Sequence, residues 1–238
     1  MKPSQKIKQN VVNQIAKTTL YENVSELMKM QQIYEAGIKE IRTKLEILDA
    51  EFKVKHDHNP IHHIESRLKS PESILKKAIN KDIPVTERSL EENIHDIAGV
   101  RVVCSFPDDI YKLAESFLRQ DDITLIERKD YIKNPKPSGY RSLHLIVQVP
   151  IFLQNEKKMV NVEVQFRTIA MDFWASLDHK MRYKKELSDE EVEILQEELY
   201  DCAKQSAALD ERMQRIRDRI TQKRKKEVIL LEDQHDKC

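Results

Sequence analysis

Glycine is almost missing from this chain: 238 residues contain three, at positions 37, 99 and 139. With so little slack in the backbone, each is expected to meet a local steric need rather than to supply flexibility. Gly99 and Gly139 fall inside the stretches that carry chemistry. Cysteine is as scarce. Cys104, Cys202 and Cys238 are odd in number and far apart, which argues against a disulfide framework or a zinc ribbon and suits reduced thiols. No apolar run approaches the roughly 18 residues that a membrane helix needs, and the N-terminus lacks the apolar core of a signal peptide. Neither sign of charge is in excess, since 41 Lys and Arg balance 41 Asp and Glu. Net charge therefore points to no partner. The expectation is a soluble, cytoplasmic protein with one domain or one domain plus helical extensions.

What the chain does have is charge gathered locally. Residues Arg128 to His144 read RKDYIKNPKPSGYRSLH. Arg128, Lys129, Lys133, Lys136 and Arg141 face a single acid, Asp130. Pro135 and Pro137 stiffen the stretch, and Gly139 permits a sharp turn before Tyr140. Cations and an aromatic on a Pro/Gly loop suit a polyanion bearing a flat base, which is a nucleotide. Taken alone, the segment reads equally as a solvated surface loop. Downstream, residues 160–168 alternate without a break. Val160, Val162, Val164 and Phe166 occupy one face of a strand, and Asn161, Glu163, Gln165 and Arg167 the other. Such a polar face, one strand after a cationic loop, fits the floor of a site.

The remaining segments follow in order. Residues 1–20 give no clear pattern. Leu27, Tyr34, Ile38, Ile41, Leu45, Leu48 and Phe52 recur at helical spacing, with a gap at Gln31, so a long amphipathic helix is expected over Val24–Phe52. His56, Asp57, His58, His62 and His63 cluster, but their spacing matches no zinc signature, and one His-Asp pair is too little for a metal-dependent phosphohydrolase. Asn59-Pro60 reads as a turn and helix start. Ser70 is a candidate N-cap with Pro71 at the first helical position, and Arg67, Lys69, Lys76 and Lys77 flank that helix start, where phosphate is attracted. An ordinary basic surface helix is the alternative. Val100–Phe106 reads as a buried strand broken by Arg101, which must find an anion, a ring or solvent. Asp96 stands just before it, as a turn residue or a metal ligand. Pro107-Asp108-Asp109 starts a helix reaching about Arg119. Strands are expected at Ile123–Glu127, Leu143–Val149 and Val160–Arg167. Met171–Lys184 has helical spacing, with Phe173, Trp174, Leu177 and Met181 inward and His179, Arg182, Tyr183 and Lys184 at the rim. Ser188 and Glu191 form a capping box for a last helix. That helix carries Val192, Leu195, Leu199, Cys202, Ser206, Leu209, Met213, Ile216 and Ile220 at heptad spacing. Its first half is acidic and its second half basic. The stripe packs either on the first helix or on a second copy, whose antiparallel arrangement would oppose unlike charges. Residues 227–238 read as a frayed tail.

Together these pieces resemble the synthetase domain of the RelA/SpoT family, specifically the small alarmone synthetases. The matching blocks begin at Arg67 (RLKSPESILKK), Asp96 (DIAGVR), Asp130 (DYIKNPKPSGYRSLH), Val162 (VEVQFRT) and Trp174 (WASLDHK), in the family's order over about half of the chain. The resemblance implies an α/β (α+β) fold with a mixed sheet of about five strands flanked by helices, nucleotidyltransferase-like. It divides the chain into an N-terminal helical extension over 1–58, a synthetase core over 59–185 and a long helix with a tail over 186–238. It implies transfer of pyrophosphate from ATP to the 3′-hydroxyl of GTP or GDP, with release of AMP. By the same resemblance Asp96 holds Mg²⁺ with Glu163 nearby, and Glu163 is the candidate base on the 3′-hydroxyl. Arg67 and Arg101 match the arginines that sandwich adenine, and Lys69, Ser73 and Lys77 match ATP phosphate contacts. Tyr140 matches the residue stacked on guanine. Lys129, Lys136, Arg141 and His144 fit acceptor phosphate contacts, and Gln165 sits beside Glu163.

Two departures from the family accompany the match. Lys129 stands where relatives carry arginine, which keeps charge and loses bidentate geometry. His63 and Glu65 stand where tetrameric relatives with a central alarmone cleft have an aromatic and a threonine. An acid there would repel a phosphate-rich effector. The resemblance further implies a homo-oligomer, tetrameric as in relatives, that makes alarmone without a ribosome, a membrane or a hydrolase domain. Two other classes fit parts of the pattern. One is a nucleotidyltransferase moving NMP, although Asp96 is followed two residues later by Ala98 and not by a second acid. The other is a non-catalytic nucleotide- or RNA-binding module, which would leave Asp96 and Glu163 without a role.

Overall fold

The computed structural model describes residues 3–55, 58–182 and 189–235, with side chains for 28–55, 58–181 and 191–224. Helix α1 (Pro3–Lys55) leads into strand β1 (Ile61–Leu68), followed by α2 (Pro71–Asn80), α3 (Glu87–Asn93), β2 (Ala98–Cys104) and α4 (Pro107–Leu118). Strands β3 (Thr124–Asp130), β4 (Leu143–Phe152) and β5 (Lys157–Thr168) come next, then α5 (Ile169–Arg182) and α6 (Asp189–His235). The five strands form one sheet in the order β1-β2-β5-β4-β3. Only β2 and β5 run parallel; the other neighbours are antiparallel. This is the expected mixed α+β sheet.

Strand alternation splits the sheet into two chemically different faces. Val100 and Val102 of β2, Leu145 and Val147 of β4, and Val162, Val164 and Phe166 of β5 are buried on one face. Tyr34, Ile38, Ile41 and Leu45 of α1 and Ile110, Leu113 and Phe117 of α4 join them in the same core. Truncating any one of the fully buried aliphatics would cost about 2–5 kcal/mol. Gly37 shows why α1 can lie so close: a Cβ there would come within 2.9 Å of Val160 Cγ1. Gln31, the gap in the apolar stripe, donates to Lys69 O at 3.3 Å and ties α1 to the segment ahead of α2. The opposite face carries Glu65 and Arg67 of β1, Gly99 and Arg101 of β2, and Glu163, Gln165 and Arg167 of β5. The register pairs Arg67 with Gly99, Glu65 with Arg101, Gly99 with Glu163 and Arg101 with Gln165.

Several boundaries differ from the sequence expectation. Helix α1 starts at Pro3, not Val24. The segment after Asn59-Pro60 continues as β1 and not as a helix, because pairing with β2 overrides the weak local pattern of IHHIESRL. Helix α3 lacks a distinctive apolar period and was not anticipated. Residues 227–235 extend α6 and do not fray away from it. In α5, Met171 and Trp174 face inward, while Phe173 is 66% exposed and Leu177 and Met181 are also exposed. His56, Asp57, Tyr183, Lys184 and Ser188 lie outside the described residues.

Helix α6 packs mainly on α5 and α4 rather than on α1. It does so along one flank of the heptad stripe, which lends Leu199 and Ser206 to the contact. Trp174 Nε1 donates to Leu199 O at 2.9 Å and Ser206 Oγ to Ala170 O at 3.2 Å. Thr168, which caps α5 by accepting from Met171 N, donates its hydroxyl proton to Asp210. Burial pushes the Asp210 carboxyl up despite that bond. Farther along, Arg217 pairs with Asp108 at 2.8 Å and Asp109 at 3.4 Å, and His58 Nε2 meets Asp109 at 2.7 Å. Leu209, Met213, Ile216 and Ile220 of the heptad stripe stay exposed.

Candidate active site

The polar face of the sheet is the floor of a cleft of about 450 Å³, lined among others by Arg67, Lys69, Asp96, Arg101, Glu163 and Gln165. The two acids singled out in the sequence thus converge from the approach to β2 and from the middle of β5. An adjoining cavity of about 520 Å³ is lined by Arg67, Arg101, Tyr140, Arg167 and residues of α5 including His179 and Lys180.

Asp96 is held by two ammonium groups. Lys69 Nζ donates to its Oδ2 at 2.7 Å, and Lys77 Nζ lies 2.8 Å from Oδ1 as an ion pair without hydrogen-bond alignment. Lys77 reaches it because α2 starts where the chain turns after β1. Ser70 accepts from Ser73 N and Pro71 occupies the first turn, as the capping pattern implied. Burial raises the Asp96 carboxyl, but the two lysines outweigh it and hold the group below the usual carboxylate range. Ser73 itself is spent locally, accepting from Ser70 Oγ at 3.0 Å.

Glu163 is the end of a chain of side chains. Arg167 Nη2 donates to Tyr140 Oη at 2.7 Å, Tyr140 Oη meets His144 Nε2 at 2.8 Å, and His144 Nδ1 meets Glu163 Oε1 at 2.9 Å. With a neutral imidazole, one donor order satisfies every link: Arg167 to Tyr140, Tyr140 to His144 Nε2, and His144 Nδ1 to the carboxylate. Gln165 closes the ring, donating to Glu163 Oε2 at 2.8 Å and accepting from Arg167 at 3.0 Å. Burial pushes the Glu163 carboxyl up, but the bonds from His144 and Gln165 prevail and leave it below the usual range. Asp96 acts against that lowering, which shows how near the two acids stand. His144 therefore orients the carboxylate.

Arg101 finds the anions its strand position demanded. Its Nη1 lies 3.4 Å from Glu65 Oε2 and 3.3 Å from Asp172 Oδ1. Tyr140 stands between cations, with Lys136 Nζ 5.0 Å and Arg167 Cζ 5.2 Å from its ring centre. Lys136 also lies 4.5 Å over Tyr131, whose ring is edge-on to His144. Tyr131, Arg167 and Asp172 were not assigned from the sequence. The signal for Arg167 was available, since it shares the polar face of β5 with Glu163 and Gln165. Asp130 anchors the loop by accepting from Ile132 N and Lys133 N, each at 3.1 Å. Lys129 pairs with Glu127 at 2.7 Å at the rim. Arg141 turns away from the cleft, donating to Ile132 O at 3.4 Å and lining a small recess with Gly139, Trp174 and Ala203.

Gly139 meets a real backbone need. Its φ is +87° and a Cβ would sit 2.5 Å from Ala203 Cβ of α6. Gly139→Ala is expected to cost about 2–4 kcal/mol from left-handed strain plus overpacking. Thermal melts of the purified variant check it. Gly99, by contrast, is uncrowded, with Arg67 O at 3.6 Å from an added Cβ.

Two carboxylates amid lysines and arginines, with tyrosines beside them, on one face of a mixed sheet suit phosphate transfer between nucleotides. Among the described residues no group of three or more His, Cys, Asp or Glu could hold a metal by itself. Residues 66–188 match the region found in RelA/SpoT proteins. The chain is 44% identical over 188 residues to the GTP pyrophosphokinase YwaC of Bacillus subtilis, covering 79% of this chain and 89% of that protein. It is 37% identical to YjbM of the same organism over 187 residues, covering 79% and 86%. The crystal structure of small alarmone synthetase 1 from Bacillus subtilis bound to its product pppGpp superposes with a TM-score of 0.75. It is 34% identical in sequence, and the match covers 83% of this chain and 99% of that one. Small alarmone synthetase 2 gives a TM-score of 0.72 at 41% identity, covering 82% and 99%. The chain belongs to the RelA/SpoT family, among its small alarmone synthetases.

Proposed function

We propose that the protein is a (p)ppGpp synthetase that transfers pyrophosphate from ATP to the 3′-hydroxyl of GTP or GDP and releases AMP. The observation that carries this is Glu163, ionised and aimed by His144 and Gln165, in one cleft with Asp96. The 3′-oxygen forms a bond to the β-phosphorus of ATP. The bond from that phosphorus to the α–β bridging oxygen breaks, and AMP leaves with that oxygen. Glu163 takes the hydroxyl proton. Its lowered pKa keeps it unprotonated at neutral pH, and the Tyr140–His144 chain fixes its direction. Catalysis otherwise rests on positioning and charge neutralisation.

The donor set fits Mg²⁺, which favours one or two carboxylates completed by substrate phosphates over an all-protein cage. Asp96, with Glu163 beside it, would hold the ion, which would neutralise charge on the phosphates. Lys69 and Lys77 pair with Asp96 when no nucleotide is bound and turn to ATP phosphates, with Ser73, when it enters. Arg67 and Arg101 take the adenine. Tyr140 takes the guanine, with Lys136 and Lys129 toward its phosphates; Arg141 supports the loop from behind. The exposed α6 stripe and the opposed charges of that helix support self-association as a homo-oligomer, a tetramer by family likeness. Incubation with Mg²⁺, ATP and GTP should yield AMP and a 3′-pyrophosphorylated guanosine nucleotide in equal amounts. Release of inorganic pyrophosphate would point to nucleotidyl transfer instead, and absence of turnover to a binding module.

The His144 link predicts a pH effect. His144→Phe removes the donor that lowers the Glu163 pKa most and leaves Gln165 alone against burial, so the pKa rises. The acid limb of the turnover profile then moves to higher pH. The stability that Glu163 contributes is present above its unfolded pKa and is lost as pH falls through the depressed folded value. Loss of the His144 bond therefore also moves the onset of acid unfolding to higher pH, read by circular dichroism.

A further inference from the structure

The two nucleotide subsites meet on one oxygen atom. Asp172 Oδ1 accepts from Arg167 Nη1 at 3.0 Å and lies 3.3 Å from Arg101 Nη1. Arg101 stands on the ATP side, and Arg167 holds the hydroxyl of Tyr140 on the guanine side. Asp172 is placed rigidly for this. It sits in the first turn of α5, where the helix dipole favours a carboxylate, and Thr168 caps that turn. Arg167 is 5% exposed, so a change in its partner is felt by Tyr140 and Gln165 and not absorbed by solvent.

We propose that Asp172 is a positioning residue that couples ATP binding to guanine nucleotide binding. This rests on the subsite assignments above. In the free protein two guanidinium groups share one carboxylate oxygen. A purine that draws Arg101 onto its ring leaves the carboxylate to Arg167 alone. Arg167 then holds Tyr140 more firmly in the orientation that receives guanine. Binding linkage makes the effect reciprocal, so a guanine nucleotide strengthens ATP binding by the same factor.

The test is calorimetric titration of the full chain with α,β-methylene-ATP, without and with saturating GDP, in wild type, Asp172→Asn and Asp172→Ser. In the wild type GDP is expected to tighten the analogue about fivefold or more. In both variants that ratio falls toward unity, while melting midpoints report that they remain folded. A merely structural role would weaken each nucleotide alone and leave the ratio intact. A ratio preserved in either folded variant, or a wild-type ratio of unity, overturns the proposal. A protein that makes the 3′-pyrophosphorylated product yet keeps its ratio in the variants overturns this inference alone. A protein that makes no product overturns the functional reading beneath it.

Discussion

Glu163→Gln is expected to lower turnover about 10²–10⁴-fold, the range lost when a positioned general base is removed. The substitution keeps the shape of the side chain. It replaces an acceptor-only carboxylate, which takes bonds from both His144 and Gln165, with an amide that accepts on one side and donates on the other. One of those two donors then faces another donor, and the 3′-hydroxyl loses its proton acceptor. The fold should survive, because the apolar face of β5 is untouched. Affinity for each nucleotide should change far less than turnover, since the role proposed for Glu163 is on the reacting hydroxyl and not on either base. Product formation, nucleotide titration and a melting curve on the purified variant separate these effects. Unchanged turnover would remove Glu163 from the reaction.

Asp96→Asn is expected to cost about 10²–10³-fold in turnover, comparable to the loss of one electrostatic element of a preorganised site. Asp96 is the anion between Lys69 and Lys77. Without its charge the two ammonium groups face each other unscreened, and Mg²⁺ loses its proposed carboxylate. The signature is a shift in metal dependence, so that the variant needs more Mg²⁺ to reach a lower ceiling. Turnover measured across a Mg²⁺ titration reads this directly. The same curve as the wild type would show that Asp96 has no part in holding the ion.

The parts of this site legible from sequence were those set by strand alternation and local chemistry. The polar face of β5 was visible because its period of two continues unbroken from Val160 to Phe166. The lysine-flanked start of α2 was visible because Ser70-Pro71 is a strong local cap. Strand β1 was not, because IHHIESRL becomes a strand only by pairing with β2, and nothing local requires it. The tie between His144 and Glu163 was not legible either, because a histidine after a cationic loop gives no hint of a partner 19 residues away. The bond follows from the antiparallel register of β4 on β5. Nothing in the sequence singled out Asp172. Its contact with Arg101 depends on how α5 turns back over the end of β5, which no spacing rule reveals. The heptad stripe of α6 was read as the surface that packs on α1 or on a second copy. The helix binds its own chain through Ala203, Ser206 and Asp210 and leaves Leu209, Met213, Ile216 and Ile220 of the stripe exposed.

The most direct test of pyrophosphate transfer follows the two phosphorus atoms of ATP separately. With ATP labelled at the α-phosphorus, all label converted in the presence of GTP and Mg²⁺ should appear in AMP. With label at the β-phosphorus, it should appear in the guanosine product. Label from the α-phosphorus in the guanosine product would contradict the account.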